Sequence, residues 1–271
     1  MLLSRPRLVN SFHGPFHQII RKVWDPTMTL HRNHPFPGIK ITRSDPQNKP
    51  NLPWGFCIYR CTFKDNVAWS KMIQLIRQNV QKSLELCLPP GEERTELLEA
   101  HDLVIHDEPK FDGATSHEVR DHFHGWVAEQ LPKVFKTPET LQMMLQSHSD
   151  TDQHPGPEFG LGARFNSALF VDDICLESMD HMREPVVKIM YKPWGDLSPE
   201  ERHYKIDPEW HDGTTDEWDE DVGWMYMSVG DYVDMYDRYA WTDDYIWIDE
   251  YTRPPLMNSC DKAKLPGFWR N

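Results

Sequence analysis

Long apolar runs are missing from this 271-residue chain: the longest, such as VVKIM at 186–190 and SALFV at 167–171, fall far short of the roughly 20 residues that span a bilayer. An integral membrane protein is therefore not expected. Cysteine is scarce as well. Cys57, Cys61, Cys87, Cys175 and Cys260 make an odd, scattered set, and nothing in their spacing resembles a disulfide scaffold. Cys57 and Cys61 stand four apart in a predicted strand, roughly 13 Å between α carbons, too far to bridge. Buried thiols in a reducing compartment, and hence a soluble intracellular protein, are the expectation.

Phosphate-cradling loops are absent too. GLGARF at 160–165 lacks the third glycine of a dinucleotide fingerprint and precedes a strand; there is no Walker pattern and no Gly-x-Ser-x-Gly elbow. Positive charge is in short supply overall. The formal net charge is −14, yet residues 1–53 carry eight Lys and Arg against Asp25 and Asp45, so that segment is +6 and the remainder −20. An acidic body of that kind argues against nucleic acid as the main partner, because phosphate binding needs clustered Lys and Arg. The first residues contain neither the apolar stretch nor the cleavage site of a secretory signal; they are Arg-rich, as a mitochondrial presequence is, but Pro6 and Pro15 interrupt any amphipathic helix there. Cytoplasm or nucleus is the expected compartment.

What the chain does have is enough apolar residues, 39%, for one large core. A basic, proline-rich arm, mostly irregular, is expected over 1–53, a single α+β domain over 54–256 and a tail over 257–271. WGFCIYRCTF at 54–63 alternates as a strand does, and Trp69, Met72, Ile73, Ile76, Val80 and Leu84 then recur at helical spacing behind Asp65, a plausible N-cap. A polar link at 89–96 leads to a strand at LVIH. Thr115 and Glu118 fit a capping box ahead of Val119, Phe123, Trp126, Val127 and Leu131, with Pro132 limiting that helix. A short helix is expected at 137–146, a mobile glycine-rich loop to 162, a strand at 163–171, a helix capped by Asp172 or Asp173, strands at 186–192 and 223–227, and a helix at 231–239. The alternation predicts a mixed sheet with helices packed mainly on one face, built from ferredoxin-like βαβ units, with no internal repeat.

Candidate chemistry is thin. HEVRDHFH at 117–124 has the look of a helical zinc signature, but His117 and His122 are five apart, about 140° round a helix. His117, Asp121 and His124 share a face and are the weak metal candidates; a solvated helix surface is the reading preferred, so no metal and no cofactor is expected. The acidic run at 211–223 lacks the alternation of a calcium loop and reads as a solvated charge run around Trp218. Cys57 or Cys61 would serve as nucleophile only with a distant histidine, and buried strand thiols are usually inert. The catalytic candidates are Arg60, Asp112, Arg120 and a histidine, His106 or His122; Asp112 and Gly113 suit a tight turn, and Arg120 would either clamp a carboxylate or bond that turn.

Taken in order, WGFCIYRCTFKDNVAW at 54–69, FDGATSHEVRDHFHGWV at 111–127, FVDDICLESM at 170–179, VVKIMYKPW at 186–194, VGWMYMSVGDYVDMY at 222–236 and EYTRPPL at 250–256 resemble a large group of uncharacterised proteins of filamentous ascomycete fungi. Trp54, Tyr59, Arg60, Trp69, Asp112, Arg120, Tyr251 and Arg253 hold the positions that carry the likeness; the basic arm and the tail depart from it. The resemblance implies organism range and a shared fold and brings no activity. The expected function is a non-enzymatic binding or interaction protein of the fungal cytoplasm or nucleus, recognising a protein or small ligand through Trp210, Trp218, Trp224, Tyr226, Tyr232, Tyr236, Trp241 and Trp247. The alternative is a small-molecule enzyme, a hydrolase or transferase, using an Arg/Asp/His pocket.

Overall fold

A computed structural model describes residues 34–149, 161–192, 220–241, 244–256 and 269. Expectations for residues 1–33, for the glycine-rich loop at 150–160, for the acidic stretch up to residue 219 and for the tail at 257–268 fall outside the described residues.

Five strands form one mixed sheet: β1 (Cys57–Arg60), β2 (Val104–His106), β3 (Ser167–Val171), β4 (Val186–Tyr191) and β5 (Trp224–Ser228), in the order β2-β1-β3-β4-β5. β1 runs parallel to both neighbours, Tyr59 opposite His106 and Phe170, while β4 is antiparallel to β3 and β5. The helices are α1 (Pro37–Ser44), α2 (Asn66–Cys87), α3 (Glu92–Ala100), α4 (Ser116–Val134), α5 (Pro138–Ser149), the single turn α6 (Ala163–Asn166), α7 (Asp173–His181), α8 (Tyr232–Trp241) and α9 (Asp244–Glu250). The β1-α2-α3-β2 unit is a parallel crossover; α7 instead joins the antiparallel neighbours β3 and β4. Among the described residues no helix is long and apolar enough to cross a membrane.

Because strand side chains alternate, each strand feeds two cores. Ile58, Leu169, Val171, Val187, Ile189, Met225 and Met227 lie under α1, α2, α3 and α8, whereas Tyr59, Ala168, Phe170, Val186, Met190 and Trp224 lie under α4. Helices therefore gather mainly on one face, and α4 covers the other. That double burial is why the strands read as nearly continuous apolar runs. α2 buries the six residues its spacing predicted, and Met72, Ile76 and Leu84 are completely enclosed, worth on the order of 1.5–3 kcal/mol each.

Five local expectations are corrected. The proline-rich stretch is not irregular throughout: Pro37 sits in the first turn of α1, where its missing N–H is no loss, and Ile39 is fully buried. Phe36 cannot cap that helix, but Asp237 of α8 accepts the Ile39 amide at 2.9 Å. The polar link is helical, α3, with only Leu97 buried. Pro132 lies inside α4, which continues to Val134. The strand at 163–171 begins only at Ser167, because Ala163–Asn166 form a helical turn after Gly162 at φ +85°. β1 itself is short: Trp54 makes only an isolated bridge to His101, and Gly55 at φ +125° lets the backbone pass Asp102, where a Cβ would stand 2.6 Å from the Asp102 carbonyl oxygen.

Candidate functional site

In sheets of this kind ligands commonly enter beyond the carboxyl ends of the parallel strands, where the connections diverge to opposite sides. Here that point lies between β1, which leaves toward β2, and β3. The helices that follow β1, β2 and β3 all start at this end, and their amide donors would suit an anion. All three starts are already filled. Asp65 accepts from the Val67 and Ala68 amides at 2.8 Å, Thr115 and Glu118 close a reciprocal capping box on α4, and Asp172 accepts from Cys175 at 3.1 Å. Asp173 takes the Thr62 hydroxyl and the Lys64 ammonium. The crevice is occupied by the protein's own carboxylates, which repel a phosphate.

Below it, Lys188 is buried at 2.6 Å from Asp172, its ammonium 4.3 Å above the Trp224 ring. Burial pushes the Asp172 carboxyl up, but the Lys188 charge, with the bonds from Lys188 and Cys175, outweighs burial and holds it below the usual carboxylate range.

The catalytic candidates do not converge. Arg60 is buried, bonds the Thr62 carbonyl at 2.9 Å and the Asn66 side chain, and lies 4.2 Å over Phe63, so it ties the β1–α2 turn. Asp112 is exposed and accepts the Phe63 amide at 3.2 Å, while Gly113, at φ +73°, donates to the Cys61 carbonyl. Arg120 bonds the main chain at the other end of the sheet, and its charge works against the burial that raises the Asp221 carboxyl. It donates to the Tyr191 carbonyl at 3.2 Å and the Gly223 carbonyl at 2.8 Å. Arg60 lies opposite Val171, Tyr191 opposite Ser167, so the two guanidiniums act at opposite ends of the sheet.

His122 does meet other polar groups. Its Nε2 is 3.2 Å from the Lys110 ammonium, which can only donate, so the proton sits on Nδ1 and is given to the Tyr59 hydroxyl at 3.0 Å. Tyr59 stacks on His106, whose ring centroid is 5.1 Å from that of His122. Burial lowers both imidazoles below their ordinary value, assisted by the Lys110 charge at His122 and by His122 itself at His106; both are neutral at pH 7. His106 Nε2 is enclosed without a hydrogen-bond partner. Both nitrogens of His122 are engaged, leaving neither a lone pair nor a proton facing outward. Tyr59 and Lys110 were missed from the sequence; the signal was the β1–β2 register, which sets Tyr59 opposite His106.

His117 is buried, Asp121 exposed, and His124 bonds the Lys192 carbonyl at 3.2 Å. Among the described residues no three His, Cys, Asp or Glu are grouped to hold a metal ion. Cys57, Cys61 and Cys175 are buried, and burial pushes their thiols well up, away from the nucleophilic thiolate. Of the aromatics expected to form a surface in the C-terminal part, Trp224, Tyr226, Tyr232, Tyr236 and Trp247 are core instead, all buried. Trp210 and Trp218 lie outside the described residues.

A concave space of about 160 Å³ opens elsewhere, at the α4 face. Its apolar wall is made by Leu52 and Pro53, by Trp126 and Val134 of α4, and by Leu161 and Phe165. Polar groups come from Thr42, Gln130, Lys133 and Arg164. The Thr42 hydroxyl is bonded to the Gly38 carbonyl, and Arg164 is committed to Asp102 at 2.6 Å and to the carbonyls of Asp102 and Gly55. Comparison with protein-family models, with curated proteins and with solved structures finds no match.

Proposed function

We propose that this chain is a non-enzymatic binding protein that holds a small ligand in the space between α1, α4 and α6. The observation that carries the reading is the filled crevice: at the end of the sheet where a catalytic α/β protein gathers its donors, each helix start is occupied by an internal cap. The pocket wall supports the same reading. Among the described residues it contains no carboxylate, thiol or imidazole, so these offer no acid, base or strong nucleophile apart from the Lys133 amine, which is exposed.

The test is thermal unfolding of the purified full chain against nucleotides, sugar phosphates and small apolar molecules with and without charge, followed by recovery of each ligand. A ligand at about 100 times its Kd stabilises by about 2.7 kcal/mol. Stabilisation by small apolar ligands recovered intact is expected; conversion of any of them, or tight nucleotide binding, overturns the reading.

A second reading, a small-molecule hydrolase or transferase, is favoured by the neutral pair His106 and His122 beside Tyr59. It requires Lys110 to leave His122 Nε2. A His122→Gln variant that loses a measured turnover while keeping its melting temperature would support it.

A further inference from the structure

The geometry points to a single-ring aromatic carboxylate as the ligand of the α4-side pocket. This rests on the binding reading above and names the ligand class it left open.

Size comes first. A space of about 160 Å³ is close to the cavity of roughly 150 Å³ that takes one benzene ring. Shape comes next. Trp126 and Phe165 both contribute to the wall, their rings 5.9 Å apart and within 20° of parallel, and Phe123 continues the stack behind Trp126 at 5.8 Å and 11°. A flat ring meets such a wall by edge-on or offset contact, which an aliphatic group of equal volume cannot make.

Charge completes the selection. In a chain of net charge −14 the described residues of this lining include two cationic side chains and no acid. Arg164 is neutralised by Asp102, but Lys133 on the exposed side of α4 has only the neutral Gln130 amide as its given partner, at 3.2 Å. A carboxylate on the ring would replace that neutral acceptor with a charged one, while the ring stays against Trp126 and Val134. A positive charge on the ligand would be repelled.

The experiment is titration calorimetry of the full chain with benzoate, benzamide, cyclohexanecarboxylate and acetate. Benzoate is expected to bind most tightly, benzamide to fall short through lost charge, cyclohexanecarboxylate through lost flatness, and acetate to give no signal. Lys133→Glu, at an exposed position that carries no fold, is expected to weaken benzoate by about threefold to fivefold, the scale of an exposed ion pair, and to leave benzamide unchanged. Leu161→Phe fills the space and is expected to abolish binding of all rings; unaltered melting, measured on each variant, separates loss of the site from loss of the fold. Absence of benzoate binding at millimolar concentration, equal binding of benzoate and acetate, or a Lys133→Glu variant with unchanged benzoate affinity overturns the assignment. Conversion of bound benzoate would instead sink the non-enzymatic reading and keep the site.

Discussion

Replacing Asp237 by Asn removes the pH dependence that the α1–α8 contact builds into the fold. Asp237 is a buried carboxyl on α8 whose oxygen receives the Ile39 amide at 2.9 Å, and it supplies the cap that α1 lacks locally. Burial pushes it from an ordinary 3.8 up to about 6; the Ile39 and Gly38 amides pull the other way, and Asp234 adds to the rise. The rise corresponds to about 3 kcal/mol, at about 1.36 kcal/mol per tenfold change in proton affinity. The folded protein binds the proton more tightly than the unfolded chain does, so this contribution is fully present below pH 3.8 and is lost as the pH rises through 6.

The assay is urea unfolding of wild type and Asp237→Asn from pH 4 to 8. Asparagine keeps an oxygen for Ile39 and cannot ionise. The difference in unfolding free energy between the two proteins should therefore move by about 2.5 kcal/mol in favour of the variant between pH 4 and pH 7.5. Amide exchange at Ile39 and Gly38 reports the same event locally. A difference that stays flat across that range, with the Ile39 amide protected to the same degree at both ends, refutes the reasoning.

Three further outcomes can be measured directly. Gly55→Ala should lose on the order of 3 kcal/mol in urea unfolding, because φ +125° and an oxygen 2.6 Å from the new Cβ leave it no relaxed position. Lys188→Met leaves half-buried Asp172 without its cation and should cost about 1–3 kcal/mol, whereas Lys188→Met with Asp172→Asn recovers most of the loss; a double variant no better than the single one argues against the pairing. Of the described thiols, exposed Cys87 should react with iodoacetamide in the native protein, while Cys57, Cys61 and Cys175 should react only on unfolding, as peptide mapping would reveal.

Much of the fold is legible where the controlling interaction is local. Asp65 and the Thr115–Glu118 box mark helix starts because the donors they satisfy are two or three residues away, and α2 shows its buried face in its own spacing. α1 is hidden for the opposite reason: its cap, Asp237, is 198 residues downstream. α3 is hidden because it buries one residue and so has almost no apolar periodicity. The candidate site was harder to read for the same cause. A buried arginine signals a demand for acceptors, but the sequence does not tell a ligand carboxylate from a main-chain carbonyl, and those of Arg120 lie 71 and 103 residues away. The C-terminal aromatics fit a recognition surface and a core equally well until the β4–β5 register turns Trp224 and Tyr226 inward.

One rule of electrostatics links the closed crevice to the open pocket. An anion binds where donors are present and not yet satisfied, and an acidic chain tends to satisfy them itself. At the carboxyl ends of β1, β2 and β3 it has done so, with Asp65, Glu118, Asp172 and Asp173 on the helix starts. Among the described residues the wall built by α1, α4 and α6 holds no acid: Asp102 is turned to Arg164, and Lys133 faces an amide. The proposed ligand site is therefore away from the position that the topology favours, at one assembled from four separate stretches of chain, and neither a strand-end motif nor a glycine loop announces it.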